Sequence, residues 1–434
     1  MRRLPLVIIS SFCALTGYTQ SIDPASVKAA SWFTEARQAS IGQKVWNIDL
    51  YGPILFVDEQ SRATWANEPD TAGILKPDGK IYKGVLPADV MTANTAINWQ
   101  GKRWSVIEWP LPENRDDRVN LILHECFHRI QHRLGLPERG PTVSHLSSMD
   151  GRIYFLLELQ ALKAALGKPV RERGADLANA LLFREKRRSL FPGTFEKERI
   201  LEMSEGLAEY TGVILGRQRD SIRPHLYQQI DSTAGRKSLI RSCAYITGPV
   251  YGYLLYEKAP QWTSGLDSNA SFPMLVSKYY QIAPPKTLAN TRLTAAIDKY
   301  NGTAIIQSEK LKEQEHQKLL HQYIDMFTRQ PVLTIELVKM NVSFNPNNLF
   351  DLGEYGTIYP TGEVKDIWGQ LDVEGGGMLM KDWKVVRLSL TADQLAKDQE
   401  AAHIVTGRGW KITLNKGWKI IRLDELNYKI AQGD

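Results

Sequence analysis

The stretch LHECFHRIQH, Leu123 to His132, places two histidines four residues apart on either side of a glutamate. Asp116 and Asp117 suit a first helical turn, Val119, Ile122, Leu123, Phe127 and Ile130 recur at helical spacing, and Gly135 with Pro137 closes the run. The spacing predicts a helix. Four residues advance it by about 400°, so His124 and His128 project side by side, one turn apart, where one metal ion can be shared. Glu125 lies beside them. His132 is about 12 Å further along the same helix, too far to join ligands that stand within about 2.1 Å of one zinc. Cys126, two residues from His124, points to the other side and reads as core.

Those residue types suit hydrolysis. Neutral imidazoles bind Zn2+ without cancelling its charge, leaving a Lewis acid that lowers the pKa of a water toward about 7 and polarises a carbonyl. A carboxylate beside that water takes its proton and passes it to a leaving amine, which assigns Glu125 as general base of a peptidase. A catalytic zinc needs a third protein ligand. The metzincin extension is not met, because Leu134 stands where its last histidine belongs. A carboxylate must then serve. Two carboxylates are candidates: Glu205, in SEGLAEY 77 residues after His128, and Glu158, interrupting the apolar IYFLLELQALKAAL, where a buried acid needs a partner. Glu209, one turn after Glu205, is spaced to orient a histidine.

HECFH and SEGLAEY together resemble the gluzincin group of zinc metallopeptidases, which includes aminopeptidase-like and peptidase-MA-like families. The resemblance implies His124, His128 and Glu205 as ligands of Zn2+ and Glu125 as general base. It also implies a tyrosine hydroxyl that stabilises the oxyanion, for which Tyr245, Tyr251 and Tyr210 are available and spacing does not choose. Only these two segments carry the likeness. The interval before Glu205 departs from the roughly twenty to thirty residues usual in thermolysin-like and aminopeptidase patterns, and no GxMEN anchor is present.

Outward from the motif, PASVKAASWFTEARQ predicts a helix, and PILFVDEQSRATW, GKIYKGVLP and TAINWQGKRWSVIEW predict a small sheet with a hairpin at Gln100-Gly101. RWSVIEW is expected to be the sheet edge that aligns an extended peptide. RIYFLLELQALKAAL, ADLANALLFREKRRSL, ERILEMSEGLAEYTGVIL, SCAYITGPVYGYLLYE and AIIQSEKLKEQEHQKLLHQYIDMF predict helices up to Pro331. Beyond it the pattern alternates, and the doubled GWKI about Asn415 reads as a hairpin. The expected fold is α+β: a zincin-like catalytic domain over residues 21–330, followed by an all-β sandwich or barrel over 331–434.

Composition narrows the setting. The 434 residues are 43% hydrophobic and 24% charged, an ordinary globular balance. Met1, Arg2 and Arg3, an apolar run from Leu4 to Ala14 and then polar residues have the layout of a signal peptide over 1–20, so the protein is expected to be secreted or periplasmic. The run is short for a bilayer span and holds Pro5, Ser10 and Ser11, and Phe12 before Cys13 disfavours a lipid anchor. Cys126 and Cys243 are too few for a disulfide scaffold. The net charge of +6 falls to +4 without Arg2 and Arg3, and REKRRS (Arg184 to Ser189) reads as a solvated helix face, not a nucleic-acid surface. A peptide or protein is the expected partner, with no nucleic acid and no stable membrane span. The alternative is a catalytically silent binding protein on the same scaffold, against which the intact Glu125 argues.

Overall fold

Chain order sets a sheet before the helices. A computed structural model describes residues 23–236, 238–283, 289–345, 348–391 and 403–433; the expected signal peptide lies outside them. Helix α1 (Pro24–Ser40) starts at Asp23, whose carboxylate accepts from Ala25 N at 3.0 Å. The strands β1 (Ile54–Asp58), β2 (Ala63–Ala66), β3 (Lys76–Asp78), β4 (Ile81–Val85), β5 (Thr95–Trp99) and β6 (Lys102–Trp109) follow. They form one sheet in the order β3-β4-β2-β1-β6-β5, with only β1 and β6 parallel. Alternation divides β1 between two cores. Ile54 and Phe56 join the helical side, while Leu55 and Val57 pack with Trp104 and Val106 on the other.

Gln100 and Gly101 both have positive φ, 44° and 72°, the geometry a two-residue hairpin between β5 and β6 requires. This pairing corrects one expectation. RWSVIEW is not the edge, because β6 is flanked on both sides: Val106 pairs with Leu55 of β1 and with Thr95 of β5. The edge strand on that side is β5.

The helices are α2 (Arg115–Gln131), α3 (Met149–Leu166), α4 (Gly174–Leu190), α5 (Thr194–Leu201), α6 (Leu207–Gly216), α7 (Arg219–Thr233), α8 (Ala244–Lys258), α9 (Phe272–Tyr280), α10 (Asn290–Lys299) and α11 (Gly302–Thr328). The carboxamide of Asn114 starts α2 by accepting from Asp116 N and Asp117 N at 2.9 and 3.2 Å, and Gly135 (φ 68°) ends the short turn beyond it. ERILEMSEGLAEYTGVIL is interrupted: a π-helical turn, Glu202–Gly206, joins α5 to α6. Cys126 and Cys243 are buried and unbonded.

The solvated face expected at REKRRS is buried at two of its arginines. Arg184 and Arg187 are each 1% exposed. Arg184 donates through Nε to Glu158 at 2.7 Å and through both Nη atoms to Glu202 at 2.8 and 2.7 Å; Arg187 donates to Glu198 at 2.9 Å and Glu158 at 2.7 Å. Their partners come from α3, α5 and the π-turn, which local charge alternation does not reveal.

After α11 the chain is β-rich. A seven-stranded and a five-stranded sheet share one core that includes Leu333, Ile335, Trp368, Leu371, Trp410 and Ile412. The doubled GWKI is not a hairpin. Trp410–Leu414 pairs within the five-stranded sheet and Trp418–Arg422 within the seven-stranded one. Strands facing across a sandwich alternate with the same period as hairpin partners, so the pattern does not separate the two. Helix α11 packs its first turns on α3, where Arg152 Nε meets Glu309 at 2.7 Å, and sets Tyr323 and Phe327 against Val332, Ile358 and Leu379. Among the described residues no helix is long and apolar enough to cross a membrane.

Candidate metal centre

Helix α2 presents Asn120, His124, His128 and Gln131 at steps of four, four and three residues, one stripe along its length. Running antiparallel to it, the π-turn and α6 present Glu205, Glu209, Gly212 and Gly216 at steps of four, three and four. Glycine lets the two backbones touch. A Cβ added at Gly212 would stand 2.2 Å from Asn120 Oδ1, and one at Gly216 would stand 2.9 Å from Asn120 N. Larger side chains there would push α6 off α2 and carry Glu205 and Glu209 away. Helix α8 closes in through Gly248, where an added Cβ would meet Gly206 Cα at 2.3 Å, and this approach sets Tyr245 beside the centre.

His124 Nε2 and His128 Nε2 are 3.1 Å apart, and Glu205 Oε2 is 3.6 and 3.5 Å from them. Ligand atoms about 2.1 Å from a tetrahedral ion stand roughly 3.4 Å from one another, so the triangle has the dimensions of three ligand positions. The other ring nitrogens are engaged: His124 Nδ1 with Glu209 Oε2 at 3.0 Å, and His128 Nδ1 with Gln131 Oε1 at 2.8 Å. Facing acceptors, each Nδ1 carries the proton, which makes Nε2 the lone-pair side of the neutral ring. Two lone pairs and a carboxylate oxygen directed at one point suit a cation. His124, His128 and Glu205 form a group that can hold a metal ion.

Without an ion, the same carboxylates favour a proton on His124 in its place. Burial pulls the His124 pKa down, but the carboxylates of Glu205 and Glu209 outweigh it and raise it to about 10. Burial likewise raises Glu205, yet His124, His128 and Tyr245 hold its carboxyl well below the usual range. Glu209 is also lowered, its burial outweighed by His124 and Asn120. Glu125 differs: burial raises it above the ordinary carboxylate value, and its Oε2 is enclosed without a hydrogen-bond partner among the described residues. The centre opens on a cleft of about 840 Å³, lined by His124, Glu125, His128, Glu205 and Tyr245, by Asn94, Thr95, Ala96 and Asn98 around β5, and by Arg103, Arg139 and Arg241.

Comparison with protein-family models, with curated proteins and with solved structures finds no match.

The residues singled out in the sequence separate into two places. Glu125, His124, His128, Glu205 and Tyr245 meet at the cleft, where the Tyr245 hydroxyl donates to Glu205 Oε2 at 2.5 Å and its ring stacks on His124 with centroids 5.4 Å apart. Tyr251 lies elsewhere, fully buried and donating to Glu158 Oε1 at 2.7 Å; Tyr210 accepts from Trp262 Nε1 at 3.1 Å. Glu158 does have the partner its burial demands, but that partner is the pair Arg184 and Arg187, not a metal. His132 is exposed at the end of α2.

Two supporting residues escaped the sequence reading. Asn120 donates to Glu209 Oε1 at 3.0 Å, and Gln131 holds His128. Their signal was present: Asn120 stands one turn before His124 and Gln131 one turn after His128, on the same helix face. Arg241, whose Nη2 is 3.6 Å from Glu205 Oε1, comes from a loop with no such periodicity.

Proposed function

We propose that this chain is an exported zinc-dependent peptidase of gluzincin type, with His124, His128 and Glu205 as ligands and Glu125 as general base. The carrying observation is the triangle of donor atoms 3.1, 3.5 and 3.6 Å apart. Two imidazoles and one carboxylate, with the remaining side open to a cleft, are the donor set of a catalytic zinc. Glu125 lines the same cleft, and its buried Oε2 has no hydrogen-bond partner among the described residues. When bound, Zn2+ supplies Lewis acidity that acidifies water toward a pKa of about 7 and polarises a carbonyl.

The chain's own residues account for the rest. Glu125 accepts the proton of the attacking water and delivers it to the leaving amine. Glu209 and Gln131 fix the imidazole orientations through the two Nδ1 atoms. Tyr245, kept protonated by burial and by the surrounding carboxylates, turns its hydroxyl from Glu205 Oε2 to donate to the oxygen on which negative charge develops. A peptide is favoured over other carbonyl substrates because β5, one of the two edge strands of the sheet, borders the cleft and an extended chain can align on it by backbone hydrogen bonds. The leader-like layout of residues 1–20 supports export.

The test is metal analysis of the purified protein together with hydrolysis of a mixed peptide library, with and without chelator. Glu125→Gln is expected to keep the metal and lose about 10²-fold or more in rate. Absence of stoichiometric zinc, or unchanged proteolysis in Glu125→Gln, refutes the reading. Full metal occupancy with no hydrolysis of any peptide supports the silent binding protein instead.

A further inference from the structure

Behind the metal centre, on the side away from the cleft, five charged side chains fill a space within the helical core: Glu158 from α3, Arg184 and Arg187 from α4, Glu198 from α5, and Glu202 from the π-turn. All are at most 5% exposed. The proposed hydrolysis uses none of them. A buried ion cluster is no more stabilising than apolar side chains of the same volume, so stability alone does not explain its place in this core.

Geometry does. On an uninterrupted α-helix at about 100° per residue, Glu202, Glu205 and Glu209 would lie within roughly 60° of one another and all three would face α2. In the structure Glu205 and Glu209 face the histidines, while Glu202 is turned to Arg184. The wider turn of Glu202–Gly206, closed by i to i+5 bonds, advances less per residue and makes that separation.

We infer that Arg184 is a positioning residue for the metal centre: gripping the Glu202 carboxylate at two points, it holds the π-turn at the rotation that aims Glu205 at His124 and His128. The guanidinium is itself immobilised. Its Nε donates to Glu158 Oε1 at 2.7 Å, and it lies 5.0 Å from the centroid of the Tyr251 ring. The same Glu202 carboxylate accepts from Thr247 Oγ1 at 2.6 Å, which ties α8, and with it Tyr245, to the turn. Arg184 thus sets two groups of the site through one carboxylate three residues from the ligand, without touching either. This inference rests on the metal reading above.

Two variants of the full chain test it, each assayed for thermal unfolding, Co2+ and Zn2+ affinity by chelator competition, and the visible absorption of bound Co2+. Arg184→Met/Glu202→Met removes the pair together, leaving Glu158 with Arg187 and Tyr251, so no charge is stranded. Arg184→Lys keeps the charge and loses the two-point grip; it decides the matter if the double variant fails to fold. Folded variants are expected to bind metal about 10- to 100-fold more weakly, with an altered Co2+ spectrum that reports changed ligation by Glu205. A purely structural role moves the melting temperature but leaves affinity and spectrum of the folded protein unchanged, and that result overturns the inference. If the wild type binds no Co2+, the metal reading falls and this inference with it; wild-type binding with unaltered variants removes the positioning role alone.

Discussion

Replacing Gly248 with alanine sets two effects of opposite sign against each other. Alanine within a helix is favoured over glycine by about 0.5–1 kcal/mol, so propensity alone predicts a more stable α8. At this position, however, the new Cβ would stand 2.3 Å from both Gly206 Cα and Gly206 O. Carbon contacts settle near 3.5–4.0 Å, so α8 and the π-turn must part by about 1 Å. Overpacking of that kind costs about 1–3 kcal/mol, which outweighs the propensity gain and leaves a net loss of about 1–2 kcal/mol, or a few degrees in melting temperature. The site is expected to suffer more than the fold. Glu205 adjoins Gly206, Tyr245 lies three residues before Gly248, and metal–ligand distances tolerate only about 0.2 Å, so metal affinity should fall at least about tenfold. Thermal melts in chelator and competition against a chromogenic chelator measure the two effects. Gly174→Ala, at a helix start with nothing within 4 Å, serves as the neutral control. A Gly248→Ala protein that melts higher than wild type and binds metal equally well would show that the glycine contact does not hold the centre together.

Glu158→Ala takes one carboxylate from Arg184 and Arg187, both 1% exposed, leaving Arg184 with Glu202 and Arg187 with Glu198; the unbalanced buried positive charge is expected to cost about 3–5 kcal/mol in urea denaturation. The protein that remains folded should still bind metal stoichiometrically, whereas metal loss at unchanged stability would make Glu158 a ligand after all. Acid should act on the same cluster: burial raises Glu198 and Glu158, but the neighbouring arginines, with His145 beside Glu198, hold both below the ordinary 4.5. Their stabilisation is therefore complete above about pH 4.5 and lost as pH falls through the folded values, so the melting temperature should drop progressively below that point; a flat profile down to pH 3 would contradict the pairing.

The sequence was most legible where the relevant physics is local. Four-residue spacing on one helix fixes the angle between His124 and His128 whatever surrounds them, and the Gln100-Gly101 step specifies its own tight turn through two left-handed backbones. The β-rich character after Pro331 follows from period-two alternation.

Legibility ended where a side chain's partner lies on another element. Glu158 and Glu205 both interrupt helical, largely apolar stretches, and periodicity treats them alike; the first meets two arginines and the second two histidines only because α3 and α4 pack on one side of the π-turn and α2 on the other. Burial of Arg184 and Arg187 within REKRRS and the separate sheets of the two GWKI copies escaped for the same reason. A repeat along one element carries angles but not neighbours. Neighbours are set by which glycines let helices approach and which charges must be matched once water is excluded, and both are properties of the packed whole.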